Sequence, residues 1–256
     1  MTRVKYSFLV LKEHPYGREM LKQLLAAGFE PALVIEEDST VAEEERAKFL
    51  ERLAGQPLPP TFTELLAGRS VRRESVPHHN QAACEALLRE LGPELLVLGG
   101  TRILKPNIFL LAPAGTLNSH PGLLPEVRGS ASVAWSIYHD VPLGCTCHFV
   151  EEGIDVGAIV GRRTIPVGPG QTYEELVHAT NVLSGTLMVE ALRAFAAGTL
   201  QGTIQPAGGQ TYRVIPPELL AEVKEKLARG TYKHLTAAPQ VGPTPGDPSR
   251  PYTSPS

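Results

Sequence analysis

Short apolar runs alternate with stretches of helical periodicity through most of the chain, and this alternation restricts the fold more than any other feature of the sequence. Lys5–Leu11 (KYSFLVL) is a continuous apolar run, the pattern of a strand covered on both faces. Tyr16–Ala27 follows with Met20, Leu21, Leu24 and Leu25 at helical spacing, and Gly28 supplies a stop. Pro31–Ile35 is a second strand. Val41–Leu53, rich in Glu, Arg and Lys, is an exposed helix capped by Ser39 or Thr40. Gly55–Pro60 breaks the chain, and Thr61–Ala67 adds a short helix. Ser70–Val76, Gln81–Leu91 and Glu94–Gly99 read as strand, helix and strand. Ser130–His139 is a helix, Gly144–Val150 and Ala158–Val167 are strands joined tightly at Gly153–Gly157, and Tyr173–Ala197 is a long helix. Repeated units of this length predict an α/β fold with a doubly wound, mostly parallel sheet. In such a fold a ligand sits outside the carboxyl ends of the strands.

Beyond Gly198 the regularity fades. Residues 1–200 are expected to form the catalytic domain, and 201–238 a short irregular C-terminal extension with one helix at Glu218–Ala228. Residues 239–256 hold six prolines and little apolar content, so a disordered tail without a catalytic role is expected there. A net charge of −3 over 256 residues gives no sign of a nucleic-acid partner. No apolar run reaches the roughly 18–20 residues of a membrane span, and MTRVKYSFLV enters a strand without a signal-peptide pattern. Three cysteines do not make a disulfide framework, so reduced thiols and a cytoplasmic location are expected. Cys145 and Cys147 alternate on a strand as core residues rather than as a metal pair, and no metal site is expected. His78-His79 reads as surface or helix cap, Trp135 as core. There is no G-x-S-x-G elbow to support a serine hydrolase.

Chemistry concentrates in two pieces, GTLNSHPGLLPEVR at Gly115–Arg128 and HFVEEGIDVG at His148–Gly157. Asn118 and His120 lie two apart and share a face if the strand persists. Pro121 and Pro125 then fix a loop that cannot be helical. Asp155 arrives between an apolar residue and a second loop's glycine. An amide, an imidazole and a carboxylate converging from two loops suit general acid/base work with oxyanion stabilisation. Taken singly, each also fits a plain role: a satisfied histidine after a strand, or an aspartate capping a turn.

Asn118-Ser119-His120-Pro121-Gly122-Leu123-Leu124-Pro125 resembles the N-x-H-P-S-L-L-P signature of the folate-dependent formyltransferases, a family of glycinamide ribonucleotide, methionyl-tRNA and sugar N-formyltransferases. Thr146-x-His148 followed by Ile154-Asp155-x-Gly157 is similar to that family's T-x-H…D-x-G piece, and Arg128-Gly129 to the end of its L-L-P-x-x-R-G loop. Arg102-Ile103-Leu104 lies sixteen positions before Asn118, where the family's backbone meets the pterin. The likeness runs from about Glu94 to Val167. It implies a Rossmann-like formyltransferase domain and transfer of a formyl group from N10-formyltetrahydrofolate to an amine. Asn118 and His120 would donate N–H groups to the developing oxyanion, one such donor being worth about 2.7–4 kcal/mol of barrier. Asp155 would hold the imidazole charged and pass protons, so the His120 pKa is expected to rise. His148 and Thr146 would orient these groups. Leu123, Val150, Glu151, Glu152, Gly153 and Asp155 would border the folate beside Arg102, Ile103 and Leu104.

Departures from the family bear on the acceptor. The loop Leu11–Gly17 lacks the small residues that would offer N–H groups to a ribose phosphate, which disfavours glycinamide ribonucleotide. No C-terminal domain of OB type and no basic surplus are evident, which disfavours tRNA, and no N-terminal regulatory domain of the folate deformylases precedes Tyr6. A small amine remains: an amino sugar nucleotide, or a hydroxylamine or amino acid derivative. Lys12, Glu13, His14, Gly122 and Arg128 are the candidate contacts to it, with Gly122 loosening the loop or making room. The insertion Glu36–Pro77 stays open between a lid, a homodimer contact and inert decoration. A folate-binding protein without turnover, or a hydrolase of the formyl donor, are the alternatives.

Overall fold

A computed structural model of the chain describes residues 4–236; the proline-rich stretch 239–256 lies outside them. β1 (Tyr6–Leu11) is buried throughout, and its residues alternate between the two faces of the sheet. α1 (Pro15–Ala26) starts on a proline, whose absent N–H would be unpaired there anyway. β2 (Leu33–Glu37) is followed by α2 (Thr40–Arg52), which Ser39 caps and which buries only Ala42, so the exposed helix expected from its charge is observed. α3 (Phe62–Leu66) opens on a Thr61/Glu64 capping box. β3 (Arg72–Val76), α4 (Ala82–Leu91), β4 (Leu95–Leu98) and the single turn α5 (Pro106–Phe109) lead to β5 (Thr116–His120). A short strand β6 (Val127–Gly129), α6 (Ser132–Tyr138), β7 (Gly144–Phe149), β8 (Ile159–Thr164), α7 (Tyr173–Ala196), β9 (Gln210–Tyr212) and α8 (Pro217–Ala228) complete the order.

The main sheet has the order β3-β2-β1-β4-β5-β7-β8. The first five strands run parallel, β7 runs antiparallel to β5, and β8, antiparallel to β7, returns to the direction of the five. Phe8 and Val10 of β1 face one cluster with Met20 and Leu24 of α1 and Leu187 and Leu192 of α7. Leu9 faces the other side, with Cys84 and Leu88 of α4 and Ile108 of α5. Burying one such leucine contributes about 1.5–3 kcal/mol, so the middle strands hold the sheet between its two helical layers.

The extension after residue 200 is bound into the molecule. Thr203 pairs with Ile159, β9 forms a parallel ribbon with β6, and Val223 and Leu227 of α8 pack with Val133 and Ile137 of α6. Two expectations need correction. His79 is fully buried, because Glu37 at the end of β2 accepts its backbone N–H at 2.9 Å and its ring Nε2 donates to Ile35 O at 3.2 Å. Trp135 is half-buried rather than in the interior: it stacks on Tyr212 at 4.9 Å and donates its indole N–H to Arg213 O.

Candidate functional site

β5 delivers Asn118 and His120 to one face of the sheet as it ends, and β7 beside it places His148 opposite Asn118 and Thr146 opposite His120. The loop after β5 is then tied to β7. Thr146 Oγ1 donates to Gly122 O at 2.8 Å and accepts from Leu124 N at 3.0 Å. The Thr146 hydroxyl therefore holds the loop, its hydrogen bonds going to Gly122 O and Leu124 N. Gly122 does not open a space. A Cβ there would lie 2.7 Å from His120 Nε2 and 2.9 Å from Ser132 Cβ, so the glycine lets the histidine ring approach the loop.

Asp155 sits on the turn between β7 and β8 with φ 52°, a left-handed conformation unusual for a side-chain-bearing residue. Gly157 follows where a Cβ would fall 1.9 Å from Phe149 O, so the turn closes only on glycine. Asp155 Oδ2 accepts from Gly129 N at 2.8 Å and lies 3.3 Å from His120 Nδ1, while Oδ1 lies 3.5 Å from His148 Nε2. His148 Nδ1 lies 2.7 Å from Phe149 O, and its Nε2 lies 3.2 Å from Asn118 Nδ2 on the side that faces Asp155. His120 Nε2–H donates to Val127 O at 2.8 Å, with Ser132 Oγ 3.2 Å away. Four side chains from β5, β7 and the following turn thus meet within hydrogen-bonding or ion-pairing distance.

Burial alone would raise the Asp155 carboxyl, but His120, His148 and the Gly129 N–H outweigh it and hold it well below the ordinary carboxylate range. At neutral pH it is an anion. His120 departs from expectation: burial lowers its pKa and overcomes the upward pull of Asp155. Its Nε2–H is already committed to a backbone carbonyl, so only Nδ1, on the Asp155 side, is left for proton traffic.

These groups line a cavity of about 810 Å³ together with Arg102, Ile103, Leu104, Val150, Glu151 and Gly153. Asn80 shapes that wall by donating to Ile103 O at 2.9 Å and accepting from Lys105 N at 2.8 Å. Arg102 is anchored on the buried Glu37 carboxylate and on Ser39 Oγ. Glu152 is exposed and Leu123 buried, and neither is among the lining residues.

The expected acceptor contacts lie elsewhere. Lys12 pairs with Asp38 at 2.6 Å. Glu13 is held by Arg73 at 3.0 Å and by the backbone N of Phe62. His14 is buried as the cap of α1 and packs on Phe49 of α2 at 4.8 Å, and burial pushes its pKa down to about 3. Arg128 is not among the lining residues: its guanidinium donates to Asp155 O, Gly208 O and Gln205 Oε1.

Sequence reasoning missed the opposite wall, made by Gly129, Ser130 and Thr211–Val214. The alternation in QTYRV after Gly208-Gly209 was the available signal for a short strand there.

A family model described as "Formyl transferase" matches residues 6–192. Methionyl-tRNA formyltransferase of Bordetella petrii is 33% identical over 205 residues, 77% of this chain and 62% of that protein. The one from Aromatoleum aromaticum is 32% identical, over 77% of this chain and 60% of its own length. The chain thus spans about three fifths of these relatives. Among solved structures, glycinamide ribonucleotide transformylase 1 from Symbiobacterium toebii superposes with a TM-score of 0.59 at 23% identity, covering 84% of this chain and 96% of the other. A formyltransferase from Anoxybacillus kamchatkensis, solved with a UDP-linked formamido sugar and tetrahydrofolate, gives 0.51 at 18% identity, covering 82% and 86%. At those identities the structures share the fold. Because the matched span contains the strands and the turn that carry Asn118, His120, His148 and Asp155, the chain belongs to the formyl transferase family.

Proposed function

We propose that the protein transfers a formyl group from N10-formyltetrahydrofolate to the amine of a small molecule. The observation that carries this is the meeting of Asp155, His120, His148 and Asn118 at one cavity, with the His120–Asp155 contact at 3.3 Å. The cavity suits a folate in size and lining: exposed Ile103, Ile154 and Val156 offer apolar surface, and Arg102 and a backbone segment held by Asn80 offer polar atoms. The folate supplies the formyl carbon that a neutral amine attacks, with negative charge gathering on the formyl oxygen. Asn118 has one amide N–H beyond the one given to His148, and that donor is the oxyanion partner. Asp155, ionised at neutral pH, accepts the proton that the attacking amine sheds, and His120 Nδ1 beside it relays the proton to the leaving nitrogen.

The acceptor approaches along the wall of Gly129, Ser130 and Thr211–Val214. On the α1 side, Tyr16 donates its hydroxyl to Ser119 O and Phe49 packs on His14, leaving a cavity of only about 50 Å³. Arg213 on the open wall forms no ion pair among the described residues, which favours an amine that carries an anionic group. Methionyl-tRNA is a second reading, favoured by the 33% identical relative of that name. The test is tetrahydrofolate release with a panel of amines: an amino sugar nucleotide, free amino acids and methionyl-tRNA. Amine-dependent release that Asp155→Asn abolishes, with folate-analogue binding retained, supports transfer. Release without amine means hydrolysis, and binding with no release from any amine means a non-catalytic folate binder. Release with methionyl-tRNA alone establishes the second reading.

A further inference from the structure

The turn that presents Asp155 is strained and is held from outside its own hairpin. A left-handed φ at a non-glycine residue is disfavoured and persists where the surroundings over-determine it. The surroundings here are two side chains. Gln205 Nε2 donates to Asp155 O and to Gly157 O, both at 2.8 Å, so one amide grips both ends of the turn. Arg128 Nε donates to Asp155 O at 3.3 Å, and its terminal nitrogens donate to Gln205 Oε1 at 2.8 Å and Gly208 O at 2.9 Å. The three residues form a closed set: Arg128 orients the Gln205 amide, and both hold the Asp155 carbonyl. Gln205 comes from the extension, beyond the 6–192 span that matches the family.

We propose that Gln205, oriented by Arg128, is a positioning residue that fixes the Asp155 turn and so sets the distance between the Asp155 carboxylate and His120. As far as turnover is concerned, this rests on the formyl-transfer reading; the electrostatic part does not. The position of the Asp155 carboxylate, 3.3 Å from the buried His120 imidazole, follows from the backbone conformation of the turn that carries it. With the Gln205 amide gone, Asp155 O and Gly157 O lose their shared donor, and the turn is held less firmly by Arg128, the Gly129 N–H and the carboxylate's own contacts to His120 and His148. The charged groups facing His120 are Asp155 on the turn, His148 on β7 and Arg128 on β6. Asp155 is the only anion of the three, so weakening its contact moves the His120 pKa down.

The experiment compares wild type with Gln205→Leu, which keeps bulk and removes the amide, Arg128→Gln as a second break of the same set, and Ile204→Ala as a control at a neighbour that is 87% exposed. Histidine resonances are titrated by NMR, folate-analogue affinity and thermal unfolding are measured, and tetrahydrofolate release is followed across pH with a working amine. Gln205→Leu is expected to lower the His120 midpoint, reduce kcat at least tenfold, leave the donor KM within about threefold and move the acid limb of the kcat profile. Ile204→Ala is expected to do none of this. An unchanged His120 titration in Gln205→Leu overturns the proposal, and so does a loss of folate affinity and thermal stability that matches the loss of kcat, which would mark a merely structural role. If wild type turns over no amine, formyl transfer fails while the histidine titration still decides the positioning role.

Discussion

Replacing Gly122 by serine, the residue of the family signature, should destabilise this protein. The new Cβ would sit 2.7 Å from His120 Nε2, about 0.7 Å inside the 3.4 Å where ordinary contact begins, with Ser132 Cβ at 2.9 Å and Val127 O at 3.0 Å. Gly122 has no positive φ, so the cost is one of space and not of backbone conformation. The His120 ring has little room to retreat, because Nε2 is bonded to Val127 O at 2.8 Å and Nδ1 faces Asp155 at 3.3 Å. Overpacking of this kind costs about 1–3 kcal/mol. Breaking the His120–Val127 hydrogen bond adds about 1 kcal/mol. The reduced freedom of the unfolded chain returns at most about 1 kcal/mol. A net loss of about 1–4 kcal/mol corresponds to a fall in Tm of roughly 2–16 °C for a domain of this size. Circular-dichroism melting and urea unfolding measure it, with the His120 titration read in parallel. A Tm within 2 °C of wild type, with the His120 midpoint unmoved, would refute the packing of this loop against the ring.

Asp155→Asn should cut amine-dependent tetrahydrofolate release by about 10²–10⁴-fold while a folate analogue still binds. The Asp155 carboxyl is depressed in the folded state, so its contribution to stability is complete above the unfolded value near 3.9 and is lost as pH falls through the folded value. Acid titration of the unfolding midpoint below about pH 4 should therefore be shallower in Asp155→Asn than in wild type. His14 shifts the other way in charge but not in sign: burial lowers it to about 3, so the folded state resists its protonation and stability declines as pH falls from about 6.5 toward 3. That decline is at most about 1.4 kcal/mol per pH unit. His14→Asn keeps an N-cap acceptor for Tyr16 N without a titrating ring, and urea unfolding at pH 7 and pH 5 should differ less in it than in wild type. Asn80→Ala removes both hydrogen bonds to the Ile103–Lys105 segment and should weaken folate-analogue affinity about threefold to tenfold by equilibrium titration. An unchanged affinity would separate that segment from the folate.

Much of the scaffold was legible in the chain because local and global signals agree. The apolar runs at β1, β2 and β4 are continuous since both faces of these strands are covered, and the cap at Ser39 and the stop at Gly28 mark helix ends near where they occur. Asn118, His120 and Asp155 were identified as a group, and the structure brings them together. Residues 210–212 form a strand against β6, and the short alternation in QTYRV does not reveal that partner. Lys12, Glu13 and His14 looked free as polar residues on a loop. Their partners are Asp38, Arg73 and Phe49, distant in sequence.

From residue order alone came the alternating strands and helices, the amide–imidazole–carboxylate set and its likeness to a family, because hydrophobic periodicity and motif spacing are properties of neighbours along the chain. Tertiary structure alone decided the protonation balance of His120, the narrowing of the α1 side by α2 and the grip of Gln205 on the Asp155 turn. Burial, volume and hydrogen-bond partners depend on segments that meet only after folding. Gln205 lies 50 positions from the turn it holds, and no local pattern carries that distance.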